Sequence, residues 1–586
     1  MTQHMTDVES SDRHQSRRAA DRIVDQLVAL GVTTFFGVPG GPVIPIFDAV
    51  LGHPETRLIE SRHETAALFS AMGYWSEAGR VPGVLVTAGP GGMNAVTGLA
   101  AAFCEGVPVV VICGDVAWSA TGGRMLQDMG PGGLSYEQTV EHFTRRTVRI
   151  VNSGSAAAHA HEVVIAATRP GNEGPALLMV SNDTAMTPAQ AIRIPPQPRD
   201  RGVRRDSGWN GDALDGVAAD VVRRLAGARH PLIIVGGAAR DLRAEVEALV
   251  DGLNVPFVCT PRGKGVLSER HPLSLRHSGL AASWWARHYT ALGVDAALAL
   301  GTDLDDCSIG SLALVEPGGY LAHVDLDPSV FSRNIPTTTG IAAPLADFLV
   351  SANRQARGIR HPDGLRLKAK IAEQSSFQEP GFATDERFPV APHRIIADLQ
   401  ESAPQGTRFV TDIGEHMLFA LHYLTVDDPS SFAIHLGLGS MGSGIGSAVG
   451  RALADPARPV VCICGDGGMQ MLGAEVLTAA KYCLPIVFAV FNDGRYNMVY
   501  HGYRQMFDRT EPWSTPWIDF AAWAGALGVP GRRITRPGEI TPELFAELTA
   551  QGGPSVLDIR HDPEIRILGA GRVEALQQMS VPRSAR

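Results

Sequence analysis

Two polar side chains follow consecutive apolar segments in the last third of the chain. The run PVVCIC leads into Gly465-Asp466-Gly467-Gly468, and the run PIVFAVF leads into Asn492-Asp493-Gly494. If both runs are buried parallel strands, the side chains that follow them emerge at one edge of a sheet. Mg²⁺ is usually held by one or two carboxylate or amide oxygens together with phosphate oxygens. Asp466 and Asn492 are therefore predicted to hold a divalent cation.

The glycines beside Asp466 predict a phosphate site next to that cation. A helical pattern starts after Gly465, and Gly467 and Gly468 allow backbone N–H groups to approach a ligand. The positive end of the helix dipole favours negative charge at the same place. A Gly-Asp-Gly turn alone is also common at ordinary strand ends, so the prediction depends on the whole strand, turn, helix and strand segment.

Three blocks of alternating helix and strand patterns must position these residues. They cover residues 18–187, 213–350 and 394–563. Alternation of this kind predicts an α/β fold with three doubly wound parallel-sheet domains, in which ligands bind at the carboxyl ends of strands. The remaining segments are predicted to be a disordered N-terminus at 1–17, linkers at 188–212 and 351–393, and a C-terminal tail at 564–586.

The bulk composition argues against several classes of partner. The formal net charge is −10 and the pI is near 6.0, so nucleic acid is not an expected partner. No run approaches the ~20 apolar residues that span a bilayer, and no signal-peptide core is seen. We therefore expect no membrane partner and a cytoplasmic location. The seven cysteines form no zinc pattern, and Cys462 and Cys464 are predicted to be buried strand thiols.

The segment from Gly465 to Gly494 resembles the diphosphate-binding motif of thiamine-diphosphate enzymes. Other stretches resemble the acetolactate synthase family: Phe35–Ala49, Ser61–Glu64, Gly437–Gly442, VTAGPGGMNAVTGLAAAFCEGVPVVVICGD, PRGKGVLSERHPLSL and LAHVDLDP. The resemblance covers nearly all of the chain from about residue 19 to 560. It implies a pyrimidine-binding first domain, a central helper domain and a diphosphate-binding third domain, with thiamine diphosphate and Mg²⁺ as cofactors.

The resemblance also implies roles for individual residues. Asp466, Asn492 and the backbone carbonyl of Gly494 would hold the metal. Glu64 would hydrogen-bond the pyrimidine ring and stabilise its imino form, since burial raises the pKa of a carboxyl group. Met441 would hold the cofactor in a bent shape, and the Gly439 carbonyl would accept from its 4′-amino group. Taken alone, Glu64 is also explained as a helix cap and Met441 as a core gap-filler.

Three further residues complete the implied site. Pro39 and Gly40, in the turn after TTFFG, would let backbone approach the reacting centre. Gln127 lies where acetolactate synthases keep a glutamine that faces the reacting carbonyl, although a surface or helix-end glutamine is the alternative. In this family a cofactor spans two subunits, so a homodimer or a dimer of dimers is implied.

Departures from the family pattern bear on the reaction. Simple decarboxylases of the pyruvate type have two adjacent histidines in the first domain, and no two histidines are adjacent here. This difference favours carboligation over simple decarboxylation of the expected pyruvate donor. The segment Gly301–Cys307 lacks both arginines of the family's Gly-x-Arg-Phe-Asp-Asp-Arg, which removes a carboxylate clamp and argues against bound FAD. Gly502 replaces a tryptophan near the acceptor pocket, which suggests a bulkier acceptor than a small 2-oxo acid. Polar candidates for acceptor contacts, or else for ordinary surface, are His142, Arg145, Arg146, Tyr500 and His501.

Several functions fit these patterns. The favoured one is a carboligase that decarboxylates a 2-oxo acid and transfers the acyl unit to a second carbonyl compound. The alternatives are a 2-oxo acid decarboxylase or lyase without ligation, a true acetolactate synthase, and a non-catalytic member of the family. The last is disfavoured because Glu64, Gly439, Asp466 and Asn492 are all retained.

Overall fold

The computed structural model describes residues 17–120, 122–123, 125–189, 211–509, 513–550 and 552–569. Within them the chain forms three six-stranded sheets whose strands all pair in parallel. The predicted α/β fold of three doubly wound domains is confirmed. Of the predicted terminal and linker segments, residues 1–16, 190–210 and 570–586 lie outside the described residues.

The strands have the following bounds in chain order. The first sheet contains β1 Thr34–Gly37, β2 Arg57–Glu60, β3 Gly83–Val86, β4 Val110–Asp115, β5 Arg146–Ile150 and β6 Ala176–Ser181. The second contains β7 Pro231–Val235, β8 Phe257–Cys259, β9 Ser274–His277, β10 Ala296–Leu300, β11 Tyr320–Asp325 and β12 Thr339–Ala342. The third contains β13 Arg408–Thr411, β14 Phe432–Ile434, β15 Val460–Gly465, β16 Ile486–Asn492, β17 Gly531–Ile534 and β18 Ser555–Arg560.

The α-helices connect these strands. In the first domain they are Ala19–Ala29, Ile44–Gly52, Glu64–Ala78, Pro90–Cys104, Tyr136–Val140, Ala156–Ala167 and Asn182–Met186. Between residues 211 and 371 they are Gly211–Gly227, Arg243–Leu253, Trp284–Thr290, Asp306–Ile309, Leu345–Gln355 and Gly364–Ile371. In the third domain they are Pro392–Ser402, Glu415–Tyr423, Ser443–Ala454, Asp466–Leu472, Glu475–Lys481, Asn497–Phe507, Phe520–Ala526 and Pro542–Thr549.

The strand order creates crevices at the carboxyl ends of the sheets. The orders are β2-β1-β3-β4-β6-β5 in the first sheet and β14-β13-β15-β16-β18-β17 in the third. Connections leave in opposite directions from β1 and β3, and from β13 and β15, so the loops after these strands separate there. Gly40 follows β1 and Asp466 follows β15. The topology therefore places predicted site residues at two such switch points.

Two buried helices join the first and third domains. Helix Glu64–Ala78 packs on helix Ser443–Ala454, and most residues of both are buried. At Gly450 a Cβ atom would clash with the carbonyl oxygen of Ser70, and at Gly73 one would clash with that of Ser447. Because the backbones approach this closely, glycine is required at both contacts.

Some predicted segment limits differ from the observed elements. Helix Leu345–Gln355 continues past residue 350, and helix Gly364–Ile371 lies within the predicted linker 351–393. The predicted linker 351–393 is therefore partly helical. Its polar residues lie on helix faces as well as in loops. The predicted tail 564–586 begins in packed structure, since Ile567 is buried. The domain limits themselves stay a prediction.

Cys462 and Cys464 are both fully buried on β15, as predicted. None of the helices in the described part of the chain has the length and apolar character needed to cross a membrane.

Candidate cofactor site

A cavity of about 220 Å³ opens at the carboxyl end of the third sheet. Its wall is formed by the loops after β13, β15 and β16, together with Gly439 and Met441. The residues that follow β13 are Gly414, Glu415 and His416, and those around the end of β15 are Gly465, Asp466 and Gly467. The structure therefore brings together five of the residues proposed from the sequence, namely Gly439, Met441, Gly465, Asp466 and Gly467.

Asp466 is the first residue of helix Asp466–Leu472 and is buried. Its Oδ1 accepts from the N–H of Gly467 at 2.8 Å, and its Oδ2 accepts from the N–H of Gly494 at 3.1 Å. The hydroxyl of Thr515 also donates to Oδ2, at 3.3 Å. Burial, reinforced by the negative charge of Asp493, raises the pKa of Asp466 to about 6. Three hydrogen bonds thus fix the Asp466 carboxyl group at the cavity wall.

Asn492, which the sequence predicts to hold the cation, lies outside the cavity wall. Asn492 is the last residue of β16, is fully buried and is not part of the cavity wall. Its Nδ2 donates to Oδ1 of Asp558 at 2.7 Å and to the carbonyl of Ile518 at 2.9 Å. Successive side chains of a strand point to opposite faces, so a shift of one residue changes the face. Asp493, one residue later, lines the cavity instead.

Gly494 is also placed differently from the prediction. Its carbonyl accepts from the N–H of Thr515 at 2.8 Å, and Gly494 does not line the cavity. Arg495, two residues after Asp493, does line it. The cavity wall therefore contains a polar side chain and a residue two positions later, Asp493 and Arg495, each one position after the predicted pair. The predicted phosphate residue Gly468 packs against Asp412, since a Cβ atom there would clash with Oδ2 of Asp412.

The two carboxylates have no cationic partner among the described residues. Burial raises the pKa of Asp493 to about 6, against the opposing positive charge of Arg495, and Nε2 of His561 lies 3.9 Å from its Oδ2. Burial lowers the pKa of His561 to about 4, so this histidine is neutral at pH 7. The guanidinium of Arg495 donates to the carbonyl of Pro563 at 2.6 Å and to Glu564 at 2.9 Å. Two buried carboxylates without a counter-ion fit a divalent cation that also binds a diphosphate.

His416 is a further polar residue of the cavity wall. It lines the cavity, and its Nε2 is buried without a hydrogen-bond partner in the described part of the structure. Burial lowers the pKa of His416 to about 3, so the ring is neutral. Sequence reasoning missed this residue and Glu415, although both directly follow the strand run RFVTDIG.

Asp412 fixes the loop that carries Gly439 and Met441. Its two carboxylate oxygens accept from the N–H groups of Gly442 and Gly444, each at 2.9 Å. Asp412 is fully buried, which raises its pKa to about 6. Gly439 has φ 72° and Gly442 has φ 87°, a region that favours glycine. Asp412 was not predicted, because its role depends on a loop thirty residues later in the chain.

The predicted residues of the first domain gather around the turn after β3. Oε2 of the buried Glu64 accepts from Nδ2 of Asn94 at 3.1 Å, and a Cβ atom at Gly91 would lie 3.2 Å from its Oε1. A Cβ atom at Gly40 would reach Oγ1 of Thr87 at 2.5 Å. That hydroxyl is buried and unpartnered among the described residues, as expected of a group that meets a ligand.

Gln127 and Pro39 border the same turn. Gln127 has φ 67°, and a Cβ atom at Gly89 would lie 2.7 Å from its Cγ, so Gln127 packs on the turn. Pro39 is exposed beside Gly40. Neither residue, nor Glu64, lines the cavity of the third domain. One chain therefore contains two separate groups of predicted site residues.

Glu475 links these groups in a way that the sequence did not reveal. Its Oε1 accepts from the backbone N–H groups of Arg62 and His63, at 2.7 and 3.2 Å. These are the two residues before Glu64, and His63 caps the helix that Glu64 begins. A carboxylate of the third domain therefore sets the turn that presents Glu64.

Comparison with known proteins identifies the family. Models of the N-terminal binding domain, the central domain and the C-terminal binding domain of thiamine pyrophosphate enzymes match residues 17–133, 218–351 and 412–559. The chain belongs to the thiamine pyrophosphate enzymes. Thiamine pyrophosphate is another name for thiamine diphosphate, so the cofactor expected from the sequence is that of the family.

Curated relatives show that this thiamine pyrophosphate enzyme is acetolactate synthase-like. The probable acetolactate synthase large subunit of Methanococcus aeolicus is 28% identical, over 93% of this chain and 92% of its own length. Isozymes 3 and 2 of the Escherichia coli acetolactate synthase large subunit are each 28% identical. The alignments cover 90% and 96% of this chain, and 92% and 100% of those subunits.

The remaining polar candidates of this thiamine pyrophosphate enzyme have structural contacts. His501 contacts the carbonyl of Pro563 through its Nε2 at 2.9 Å, and the Tyr500 ring lies 3.9 Å below the Arg495 guanidinium. Arg145 donates to the carbonyl of Glu173 at 2.8 Å. Arg146 pairs with the partly exposed Glu162, and His142 is exposed. These contacts explain the residues without a substrate.

Proposed function

We propose that this enzyme is a carboligase. It decarboxylates a 2-oxo acid, with pyruvate as the expected donor, and transfers the acyl unit to a second carbonyl compound. The observation that carries the proposal is the cavity in which Asp466, Asp493, Gly439 and Met441 meet, in a chain whose relatives are named acetolactate synthases. When bound, thiamine diphosphate supplies a nucleophilic carbon and an electron sink for the loss of CO₂.

The residues of the third domain would hold the metal and the diphosphate. We propose Asp466, Asp493 and the backbone carbonyl of Arg495 as ligands of Mg²⁺, in place of Asn492 and Gly494. The helix N-terminus at Asp466–Gly468 would face the diphosphate, where the helix dipole favours negative charge. Met441 would contact the middle of the cofactor, and the Gly439 carbonyl would accept from its amino group. FAD forms no part of the proposal.

The residues of the first domain would complete the site from a second copy of the chain. Glu64 would hydrogen-bond the pyrimidine nitrogen, and Gln127 with Pro39 and Gly40 would face the reacting carbonyl. Support comes from exposed apolar side chains on both groups, namely Leu438, Val499 and Trp517 beside the cavity, and Ile44, Trp118 and Leu126 on the first domain. Such surfaces are typical of contacts between subunits. We propose a homodimer or a dimer of dimers.

Mixing two inactive variants tests this shared site. Glu64→Gln and Asp466→Asn are each expected to abolish turnover. If a site uses Glu64 of one chain and Asp466 of another, a mixed dimer contains one intact site, and a reassembled mixture recovers up to about a quarter of wild-type activity. Recovery of no activity from demonstrably mixed dimers would contradict the arrangement.

The acceptor is proposed to be bulkier than a small 2-oxo acid. Support comes from Gly502, which stands where the family pattern has a tryptophan, and from the missing arginines at Gly301–Cys307, whose absence removes a bidentate clamp for an acceptor carboxylate.

Mass spectrometry of products from ¹³C-pyruvate, with and without aldehyde and ketone acceptors, tests the acceptor. A labelled two-carbon unit joined preferentially to a larger acceptor supports the proposal. Rapid formation of acetolactate with no preference for other acceptors would identify a true acetolactate synthase, which the names of the relatives favour. Labelled acetaldehyde alone would identify a decarboxylase.

We also propose a cytoplasmic location. No disulfide joins any of the seven cysteines, all of which lie in the described part of the chain, and Cys113, Cys259, Cys307, Cys462 and Cys464 are buried. Free thiols persist in a reducing compartment.

A further inference from the structure

An ion cluster joins all three domains beside the loop Gly437–Gly442. We call it the junction cluster, and it consists of Glu105 from the first domain with Arg262, Asp303 and Asp305 from the central domain. Nε of Arg262 lies 3.5 Å from Oε2 of Glu105. Its Nη2 lies 3.3 Å from Oδ2 of Asp305, and its Nη1 lies 3.7 Å from Oδ2 of Asp303. One guanidinium therefore bridges carboxylates of two domains.

Glu105 extends this cluster to the third domain. Its Oε1 accepts from the backbone N–H of Gly437 at 2.5 Å, so its two oxygens serve Gly437 and Arg262 separately. The carboxylate acceptor makes this a charge-assisted hydrogen bond, which is stronger than one between neutral groups. A Cβ atom at Gly437 would lie 2.9 Å from both Cβ of Cys104 and Oε1 of Glu105. The loop thus starts in close contact with the end of helix Pro90–Cys104.

The rest of the loop has little to fix it. Its far end is held by Asp412, which accepts from the N–H groups of Gly442 and Gly444. Between these anchors lie Leu438, which is 44% exposed, and Gly439, whose φ is 72°. A glycine-rich segment has wide conformational freedom, so its anchors determine where the Gly439 carbonyl and Met441 lie.

We propose that Glu105 is a positioning residue for the cofactor, which acts by holding the loop Gly437–Gly442 while Arg262 holds Glu105. The inference rests on the proposed function, because the loop position matters only if Gly439 and Met441 contact thiamine diphosphate. It also gives the acidic segment Gly301–Cys307 a role in this chain, since Asp303 and Asp305 retain Arg262. Glu105 itself does not line the cavity.

The effect of each substitution follows from these contacts. Glu105→Ala removes the acceptor for Gly437 and the partner of Arg262, so the loop loses one of its two anchors. Removal of groups that orient ligands typically costs 10- to 100-fold in affinity or activity, and we expect the dissociation constant of thiamine diphosphate to rise by about 10-fold. Glu105→Gln keeps an oxygen for Gly437 but loses the charge that faces Arg262. We expect a rise of about 3-fold, which Arg262→Met should reproduce.

The experiment measures cofactor binding rather than turnover. Apo-protein is titrated with thiamine diphosphate at saturating Mg²⁺, and the near-ultraviolet circular dichroism of the bound aminopyrimidine reports its orientation. Wild type, Glu105→Ala, Glu105→Gln, Arg262→Met and the double variant Glu105→Gln/Arg262→Met are compared. The control Lys481→Met removes another ion pair between the first and third domains, Lys481–Glu60 at 2.7 Å, and should bind as wild type does.

The inference predicts weaker binding and an altered circular dichroism band in Glu105→Ala, and a double variant no weaker than its single variants. Wild-type binding and a wild-type band in folded Glu105→Ala would overturn it. If Glu105→Ala does not fold, unchanged binding in both Glu105→Gln and Arg262→Met would overturn it equally. If the wild type itself does not bind thiamine diphosphate, the proposed function is overturned together with the inference. If the wild type binds and the variants bind equally well, only the inference is overturned.

Discussion

The proposal that Asp493, rather than Asn492, binds the metal gives a sharp prediction. Asp493→Ala removes a carboxylate from the cavity wall, whereas Asn492→Ala removes an amide that faces Asp558 and Ile518. The two variants differ by one position in the chain and by the face of the sheet. We expect opposite effects on metal binding and on stability.

The magnitudes follow from the surroundings of the two side chains. Burial moves the pKa of Asp493 from 3.8 to about 6, and each pKa unit corresponds to about 1.4 kcal/mol. Asp493→Ala should therefore raise the free energy of unfolding of the apo-protein by up to about 3 kcal/mol at pH 7. Asn492→Ala leaves the buried Asp558 without one donor and should lower that free energy by about 1–3 kcal/mol.

Thermal unfolding with increasing Mg²⁺ and saturating thiamine diphosphate checks both effects. For Asp493→Ala we expect an apo-protein at least as stable as wild type, and a Mg²⁺ requirement raised by about 100-fold or more. For Asn492→Ala we expect a less stable apo-protein with a Mg²⁺ requirement within about 3-fold of wild type. A lost Mg²⁺ response in Asn492→Ala together with a normal one in Asp493→Ala would refute the assignment.

Three further predictions address the first domain, the domain contact and the dependence on pH. Glu64→Gln should bind thiamine diphosphate but slow proton exchange at its reactive carbon by about 100-fold or more, as measured by hydrogen–deuterium exchange; an unchanged exchange rate would contradict the role of Glu64. Gly450→Ala places a methyl group against the carbonyl of Ser70 and should lower the free energy of unfolding by about 1–3 kcal/mol in chemical denaturation, whereas the exposed Gly216→Ala should not; equal stabilities would contradict the close contact. Because the pKa of Asp493 is raised, its ionisation destabilises the apo-protein progressively from about pH 4 to pH 6. The stability of Asp493→Asn relative to wild type should therefore increase over that range and then level off. A stability difference that does not change with pH would exclude a raised pKa.

Much of the fold and part of the site could be predicted because local patterns determined them. Buried strands such as β15 and β16 are apolar runs that end in glycine and polar residues, so both their position and the ligand edge were readable. Strand β2 has a weaker pattern, because its four residues, Arg57–Glu60, place two apolar residues between two polar ones and are partly exposed. Gly439, Met441 and Asp466 meet at the cavity because strand order and loop position follow from chain topology.

The sequence is least informative where a single residue or a distant partner decides the outcome. Asn492 and Asp493 are both polar, and only the exact end of β16 determines which one faces the cavity. Asp412, Glu475 and Glu105 act on backbone N–H groups far away in sequence, at Gly442, Arg62 and Gly437. No local pattern indicates such partners, because each contact exists only after the chain has folded.

The most direct test of the central claim is carbon-13 NMR of the products that the loaded enzyme makes from [2-¹³C]pyruvate and an unlabelled aldehyde acceptor. The account predicts that CO₂ is released and that the labelled carbon appears in a new carbon–carbon bond to the acceptor, with no such product from Asp466→Asn. Recovery of all the label as acetaldehyde, with every acceptor unused, would contradict a carboligase.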